Sequence, residues 1–364
     1  VLSGTTLYYR SNVAGSFSLA ATVTDGGSGP DAANFPAIGT TGWTHNVETV
    51  TSGTGTNPKT FTSSAYSWIV GASNPTSKTI TGYDLSGNTV TTSLSFTVDN
   101  SGPAAGGALT VNGVGGSAGG TTSYANTSFS GSKSNFTDAG VGIDTNVLTR
   151  EFATITSGVC DTFGSAAVIS SISETTPAVG CYRYTLTGTD LLGNVSVLKT
   201  TVMVDTTAPS SVVVSETGAN SYLSGSTLFF RSGSSGSLTL SAAVTDAFPG
   251  AASASFPAIA TTNWTHSAET VASGSGTNPI TYTSSNFSWT SSAVAPSGSF
   301  TVSGADLAGN STSATAISFV ADASAPTGGA LTVAGTAGTS GGASVVTNSG
   351  LFTGSYTDFS ADTG

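Results

Sequence analysis

The sequence predicts an all-β chain made of small sandwiches in tandem, and three observations predict it. No segment of ten or more residues carries the 3.6-residue period of a helix, whereas short runs alternate apolar and polar residues as half-buried strands do. One hairpin signal occurs three times, as Gly82-Tyr-Asp84-Leu-Ser-Gly87-Asn88, Gly188-Thr-Asp190-Leu-Leu-Gly193-Asn194 and Gly304-Ala-Asp306-Leu-Ala-Gly309-Asn310. After each copy come alternating residues and then an Asp-x-x-x-Pro stretch: Asp99-Asn-Ser-Gly-Pro103, Asp205-Thr-Thr-Ala-Pro209 and Asp322-Ala-Ser-Ala-Pro326. A hairpin, a last strand and a Pro-stiffened joint, in that order, end one sandwich and begin the next.

The joints divide the chain into residues 1–103, 104–209, 210–326 and 327–364. Complete units of about 110 residues are large enough to bury a core of their own. In the first, Leu7-Tyr-Tyr-Arg10 is a short strand and Phe17-Ser-Leu-Ala-Ala-Thr-Val23 a second with one buried face. Thr24-Asp25-Gly26-Gly27 turns the chain. Trp43 to Val50 reads as one strand, 53–58 as a loop, and 67–70 and 79–83 as further strands before the Asp84 hairpin and Leu94-Ser-Phe-Thr-Val98.

In the second, Ser128 to Asp138 takes the place of the alternating strand and its turn, and Tyr182-Arg-Tyr-Thr-Leu186 runs into the Asp190 hairpin. The third repeats the first. Leu2-Ser-Gly4 recurs as Leu223-Ser-Gly225, Val23-Thr-Asp25 as Val244-Thr-Asp246, and Trp43-Thr-His45 as Trp264-Thr-His266. The period is therefore a pair of sandwiches, A then B. Gly106-Gly-Ala-Leu-Thr-Val111 recurs as Gly328-Gly-Ala-Leu-Thr-Val333, and Phe352 to Asp358 echoes Phe129 to Asp138, so 327–364 reads as the start of a second B unit in a fragment of a longer chain.

Composition narrows the class. Charged residues are 7% against a usual ~25%, and Gly is 47 of 364, so Ser and Thr hydroxyls make the surface polar. Regularly spaced apolar residues, at 37%, argue against disorder. A net charge of −11 with scattered Lys and Arg argues against a nucleic-acid partner. No apolar run approaches the length of a membrane-spanning helix. Cys160 and Cys181 are expected to form a disulfide, because an acidic Thr/Ser-rich array looks extracellular; two buried thiols are the alternative. Asn126, Asn135, Asn194, Asn263, Asn286 and Asn310 head Asn-x-Ser/Thr sequons, most of them chance matches in so Thr-rich a chain.

The Asp-x-x-Gly-Asn hairpin, the joint at Val204-Asp-Thr-Thr-Ala-Pro209 and the Tyr182-x-Tyr184 strand resemble the bacterial immunoglobulin-like tandem repeats of large secreted and cell-surface proteins. The resemblance spans the chain and implies an immunoglobulin-like sandwich for each unit. It implies service as a stalk, spacer or fibre-forming segment at the cell surface or outside the cell. Few charges blunt the edge strands, so self-association into a fibre or surface layer is expected. The alternative is an adhesin region, binding a host or glycan through loops at the sandwich poles.

Chemistry is sparse. His45 and His266 are equivalent positions of two repeats and cannot share a site, so no catalytic residue is assigned. Trp and His two apart on a strand would share a face, with Glu48 or Glu269 pointing away, giving a core Trp and a rim His. Trp43, Trp68, Trp264 and Trp289 read as core residues, with a sugar-stacking platform as alternative. A Lys–Asn cross-link fails because Lys59 becomes Ile280 in the repeat and Lys133 has no counterpart in the A units.

Calcium is the sharpest expectation. Immunoglobulin topology puts the turn after the second strand, the last hairpin and the incoming linker at one pole. That gathers Asp99, Asp138 and Asp190, then Asp205, Asp246 and Asp306, then Asp322 and Asp358. Three carboxylates with carbonyls and water suit a hard cation. The competing reading is turn chemistry alone, with Gly87-Asn88, Gly193-Asn194 and Gly309-Asn310 as structural turn residues.

Overall fold

The structure is a computed structural model that describes residues 1–333, 336–337, 342–344 and 353–358. Within 327–364, Phe352 and the positions 334–335, 338–341, 345–351 and 359–364 lie outside the described residues. The described residues are strand, turn and coil, with no helix among them. The chain forms two compact units, Val1–Val204 and Asp205–Gly364.

Unit 1 contains two separate cores. Around the first, Leu2–Ser3, Thr6–Tyr9, Thr89–Val98, Lys78–Asp84, Pro30–Phe35 and Glu48–Val50 make one sheet in that order. Gly15–Phe17, Tyr66–Trp68 and Trp43–Thr44, with the pair Ala20–Val23 and Lys59–Thr62, make the other layer. Alternation buries Leu7 and Tyr9, and Leu94 and Phe96, against Phe61, Tyr66 and Trp43. The second core lies between a sheet ordered Thr122–Ala125, Val195–Val204, Gly180–Asp190, Ile143–Ala153 and Ala167–Val168, and one holding Ala108–Val111 and Phe129–Ser134. Tyr184 and Leu186 face this core, and the Tyr182 hydroxyl donates back to the Ala178 carbonyl at 3.1 Å.

Unit 2 repeats the first arrangement around its own core. Ser211–Ala219, Gly236–Thr245, Ile280–Thr283, Phe287–Trp289 and Trp264–Thr265 lie in one layer. Ala251–Phe256, Ser303–Asp306, Glu269–Val271 and Ser311–Ser313 lie in the other. In both copies a strand near the start runs parallel to the last one, Thr6–Tyr9 beside Thr89–Val98 and Thr227–Arg231 beside Ser318–Asp322. The aromatic packing matches too. Trp43 and Trp68 sit 5.2 Å apart at 36°, Trp264 and Trp289 5.0 Å apart at 34°. Their indole N–H groups donate to backbone carbonyls, Trp43 to Ser73 and Trp264 to Val294, so these rings are core rather than a sugar-stacking surface.

Three strand expectations change, the first being Phe17 to Val23, which is interrupted at Ser18 and Leu19 and divides into Gly15–Phe17 and Ala20–Val23. Trp43 to Val50 is not one strand. Trp43–Thr44 pairs with Tyr66–Trp68, whereas Glu48–Val50 pairs with Pro30–Phe35 in the opposite layer. The chain crosses between sheets at His45, and the crossing reverses the expected directions. The His45 side chain is fully buried, and Glu48 turns back so that Oε1 lies 3.2 Å from Nε2. Exposed Ile69 and Val70 fall outside the strand expected at 67–70, which is Tyr66–Trp68. The cysteines are joined as a Cys160–Cys181 disulfide with 5.9 Å between Cα atoms. Closing a loop of that length stabilises by roughly 3 kcal/mol in the chain-entropy account.

Close packing of the second Trp of each pair demands glycine opposite it. A Cβ on Gly236 would overlap the Trp289 ring, while one on Gly233 would meet nothing. Gly236→Ala is therefore expected to destabilise its sandwich by about 1–3 kcal/mol. Gly233→Ala should stay within about 0.5 kcal/mol of the parent. Urea unfolding followed by tryptophan fluorescence measures both, and equal effects would refute the packing argument.

Candidate metal centre

The centre is assembled from three kinds of turn. The hairpin aspartate comes first. Asp190 Oδ1 accepts from the N–H groups of Leu192 (2.8 Å) and Asn194 (2.9 Å), and Oδ2 from the Asn194 carboxamide at 2.8 Å. Asp306 holds Gly309, Asn310 and the Asn310 carboxamide in the same way at 2.7–2.9 Å. Asp84 does so with Ser86 and Asn88 at 2.7–2.8 Å. The tight reversal needs φ of +87°, +82° and +95° at Gly87, Gly193 and Gly309, a region glycine enters without steric cost. Each hairpin aspartate also faces a β-bulge at the start of the neighbouring strand, opposite Pro30, Ile143 and Ala251.

The second turn follows the alternating strand. Asp138 Oδ1 accepts from the N–H groups of Gly140 (2.8 Å) and Gly142 (3.1 Å), and Asp246 Oδ2 from Gly250 at 2.7 Å. The third is the linker. Asp99, Asp205 and Asp322 each accept from the N–H two residues on, at 3.2, 3.1 and 3.0 Å.

In unit 1 these turns converge. Asp99, Asp138 and Asp190 each present an oxygen within 4.8 Å of the other two, with Asp190 buried and the others half-buried. Repulsion among three carboxylates so close is large in a partly buried site, and the donor set is that of a hard, oxygen-seeking cation. In unit 2 Asp205, Asp246 and Asp306 are all buried. Burial, and then the Asp306 charge, push the Asp205 carboxyl up from its usual range, although the N–H of Thr207 opposes this. Burial also raises Asp246, and the charges of Asp306 and Asp205 add to it. Among the described residues only Asp99, Asp138 and Asp190 come this close as three acids; Asp205, Asp246 and Asp306 do not, nor do Asp322 and Asp358, and Asp358 is exposed.

The hairpin asparagine does more than end a turn. The Asn194 carboxamide also donates to the Asp99 carbonyl at 3.2 Å, and that of Asn310 to the Asp205 carbonyl at 3.1 Å. Each hairpin therefore grips the linker through its Asn. Around the first linker, Arg10 donates to the Leu192 carbonyl at 3.3 Å, Asn100 takes the Ser11 N–H at 3.0 Å, and Gly102 lies too close to the Val195 backbone for any side chain. Arg10 and Asn100 carried no local sequence signal, since their partners lie 182 and 89 residues away.

The histidines form no open catalytic site. His45 Nδ1 faces the Pro36 carbonyl at 3.1 Å, and the ring stacks on Tyr66 at 3.5 Å. His266 repeats this with the Pro257 carbonyl at 2.9 Å and Phe287 at 3.5 Å.

No family model matches the chain, and no curated protein matches it. Among solved structures it is similar to part of a 1.5-MDa bacterial ice-binding adhesin, with 15% identity over 87% of this chain and 94% of that one, at a TM-score of 0.31. A Ca2+-stabilized adhesin with which an Antarctic bacterium binds ice gives 16% identity over 90% of this chain and 74% of that one, at 0.25. The chicken CNTN1 FN1–FN3 domains give 10% over 82% and 94%, also at 0.25.

The raised carboxyls give a pH test. A carboxyl raised in the folded state favours the native chain while protonated, and that advantage is lost as pH rises through the ordinary 3.8 toward the raised value. With chelator present, Asp246→Asn should melt higher than the parent at neutral pH, and the difference should shrink toward pH 3. Thermal melts across pH check this, and a lower midpoint for the variant throughout would refute it.

Proposed function

We propose that this chain is a segment of an extracellular array of immunoglobulin-like sandwiches, in alternating A and B units at 1–103, 104–209, 210–326 and 327–364, and that it works as a structural stalk or fibre segment. One observation carries the reading: in unit 1 the linker after Asp99 is pinned to the next sandwich by Asn194, Arg10 and the close approach of Gly102. A linker held by side chains from both neighbours transmits orientation, whereas a free one only tethers. Repetition of pinned units then gives length. The Cys160–Cys181 disulfide fits an oxidising compartment.

Calcium is the proposed stiffener. Asp99, Asp138 and Asp190 supply the carboxylates, and Asp205, Asp246 and Asp306, buried and mutually repelling but not drawn as close, would be the corresponding set in unit 2. The ion would neutralise acids that otherwise repel, so the joint would be firm in calcium and looser without it. Extracellular modules bind calcium at about 10⁻⁴–10⁻³ M. At about 10 mM the ion should then stabilise the folded chain by about 1.4–2.7 kcal/mol.

Melting and small-angle scattering of the whole chain, in calcium and then in chelator, test both parts. The expected result is a higher midpoint and a longer maximum dimension in calcium, each lost in the Asp190→Asn variant. Indifference to calcium in both measurements would overturn the stiffening role.

A further inference from the structure

The strands at the edges of the described sheets are short, with one exception. Ser211–Ala219 is nine residues long, whereas every other edge strand among the described residues has two to five. It pairs antiparallel with Gly236–Thr245 along its whole length, and among the described residues no strand takes its other side. Folded proteins blunt long edges with Lys, Pro or a bulge. Here Pro209 precedes the strand, the register with Gly236–Thr245 is unbroken, and Glu216 is the strand's one charged residue.

Alternation sorts the side chains of this edge. Val212 and Val214 pack against the core, while Val213 faces away and is 62% exposed. The core uses two of the three valines and leaves the third to solvent. Beside the strand runs a groove of about 410 Å³ whose lining includes Val212, Val214, Leu223 and Ile317. Apolar surface therefore continues past the last strand of the sheet.

The sequence of the edge selects its partner. Ser211-Val-Val-Val-Ser215 reads the same in both directions. Antiparallel pairing obeys a two-fold axis, so such a segment can pair with its own copy with like residues opposed. With the axis at Val213, Val213 meets Val213 of the second copy, Val212 meets Val214, and Ser211 meets Ser215. Glu216 then meets Ser210. The two Glu216 carboxylates lie six residues apart, roughly 20 Å along the strands, well beyond the screening length of about 8 Å at physiological salt.

We propose that Ser211–Ala219 is a self-association edge, which pairs antiparallel with the same strand of a second copy of this chain about an axis at Val213. The proposal rests on the reading of the chain as a fibre segment, to which it adds the lateral contact. A single strand pair buries less than the roughly 1,200 Å² of a stable interface, so the contact is weak alone. Two arrays that align several such edges gain strength from their number.

The test uses the whole chain in chelator, so that pairing is read apart from cation binding. Both native cysteines are joined to each other, so an introduced thiol is the one free thiol. Under mild oxidation Val213→Cys should link two chains, read as a doubled mass on a non-reducing denaturing gel. Thr217→Cys places its thiols eight residues apart, roughly 26 Å in the same register, and should link at least about tenfold more slowly. In sedimentation the parent should form a dimer fraction that rises with concentration. Val213→Lys should remain monomeric with an unchanged melting midpoint. A parent that stays monomeric at all concentrations, equal linking at 213 and 217, or association unaltered in V213K would each overturn the proposal. A stiff chain that never pairs would sink this contact and leave the stalk, whereas a pairing but flexible chain would do the reverse.

Discussion

The hairpin aspartate is the interaction on which the rest depends. A carboxylate as buried as that of Asp190 is tolerable only if its oxygens are met by donors, and the Leu192 and Asn194 N–H groups and the Asn194 carboxamide meet them. Those bonds fix the reversal at Gly193, which in turn aims the other carboxamide hydrogen at the Asp99 carbonyl. One side chain thus closes the last hairpin of a sandwich and sets where the preceding linker lies. Its negative charge is the price of that arrangement, because the linker and the opposite turn bring Asp99 and Asp138 beside it.

Much of the fold was legible in the sequence because its signals are local. Period-two runs gave Thr6–Tyr9 and Lys78–Asp84, and the Asp-x-x-Gly-Asn motif gave the hairpins. The acids of the unit 1 centre were legible only once a topology was assumed, since Asp99 and Asp190 are distant in the chain. What stayed hidden depended on three-dimensional context. Alternation from Trp43 to Val50 cannot reveal that the chain leaves one sheet for the other, so the His45–Glu48 contact was unreadable. Ile143–Ala153 escaped notice because charged residues interrupt its apolar pattern. In the folded chain Arg150 pairs with Glu174, and Glu151 with Arg183 across the adjoining strand.

Comparison of the repeats separates what a sandwich needs from what its setting supplies. The paired tryptophans, the buried histidine on its aromatic partner and the hairpin turn are reproduced closely around the first core of unit 1 and the core of unit 2. They are internal to the unit and owe nothing to neighbours. Coverage of the strand at Gly15–Val23 and Gly236–Thr245 is not reproduced, nor is the bond from the hairpin Asn to a linker. In unit 2 both features are supplied by one stretch, 205–219, ahead of Thr227–Arg231.

The asparagines that latch the linkers also head sequons, Asn194-Val-Ser196 and Asn310-Ser-Thr312. Oligosaccharide transfer would use the same carboxamide nitrogen that donates to Asp190 and Asp99, or to Asp306 and Asp205. A sugar there and a closed latch exclude one another. Made in a eukaryotic secretory pathway, where glycans are attached before folding is complete, the chain would be trapped with its hinges undone. Made in a host without that machinery, it would fold with the latches shut. The choice of expression host thus becomes a structural variable for this protein.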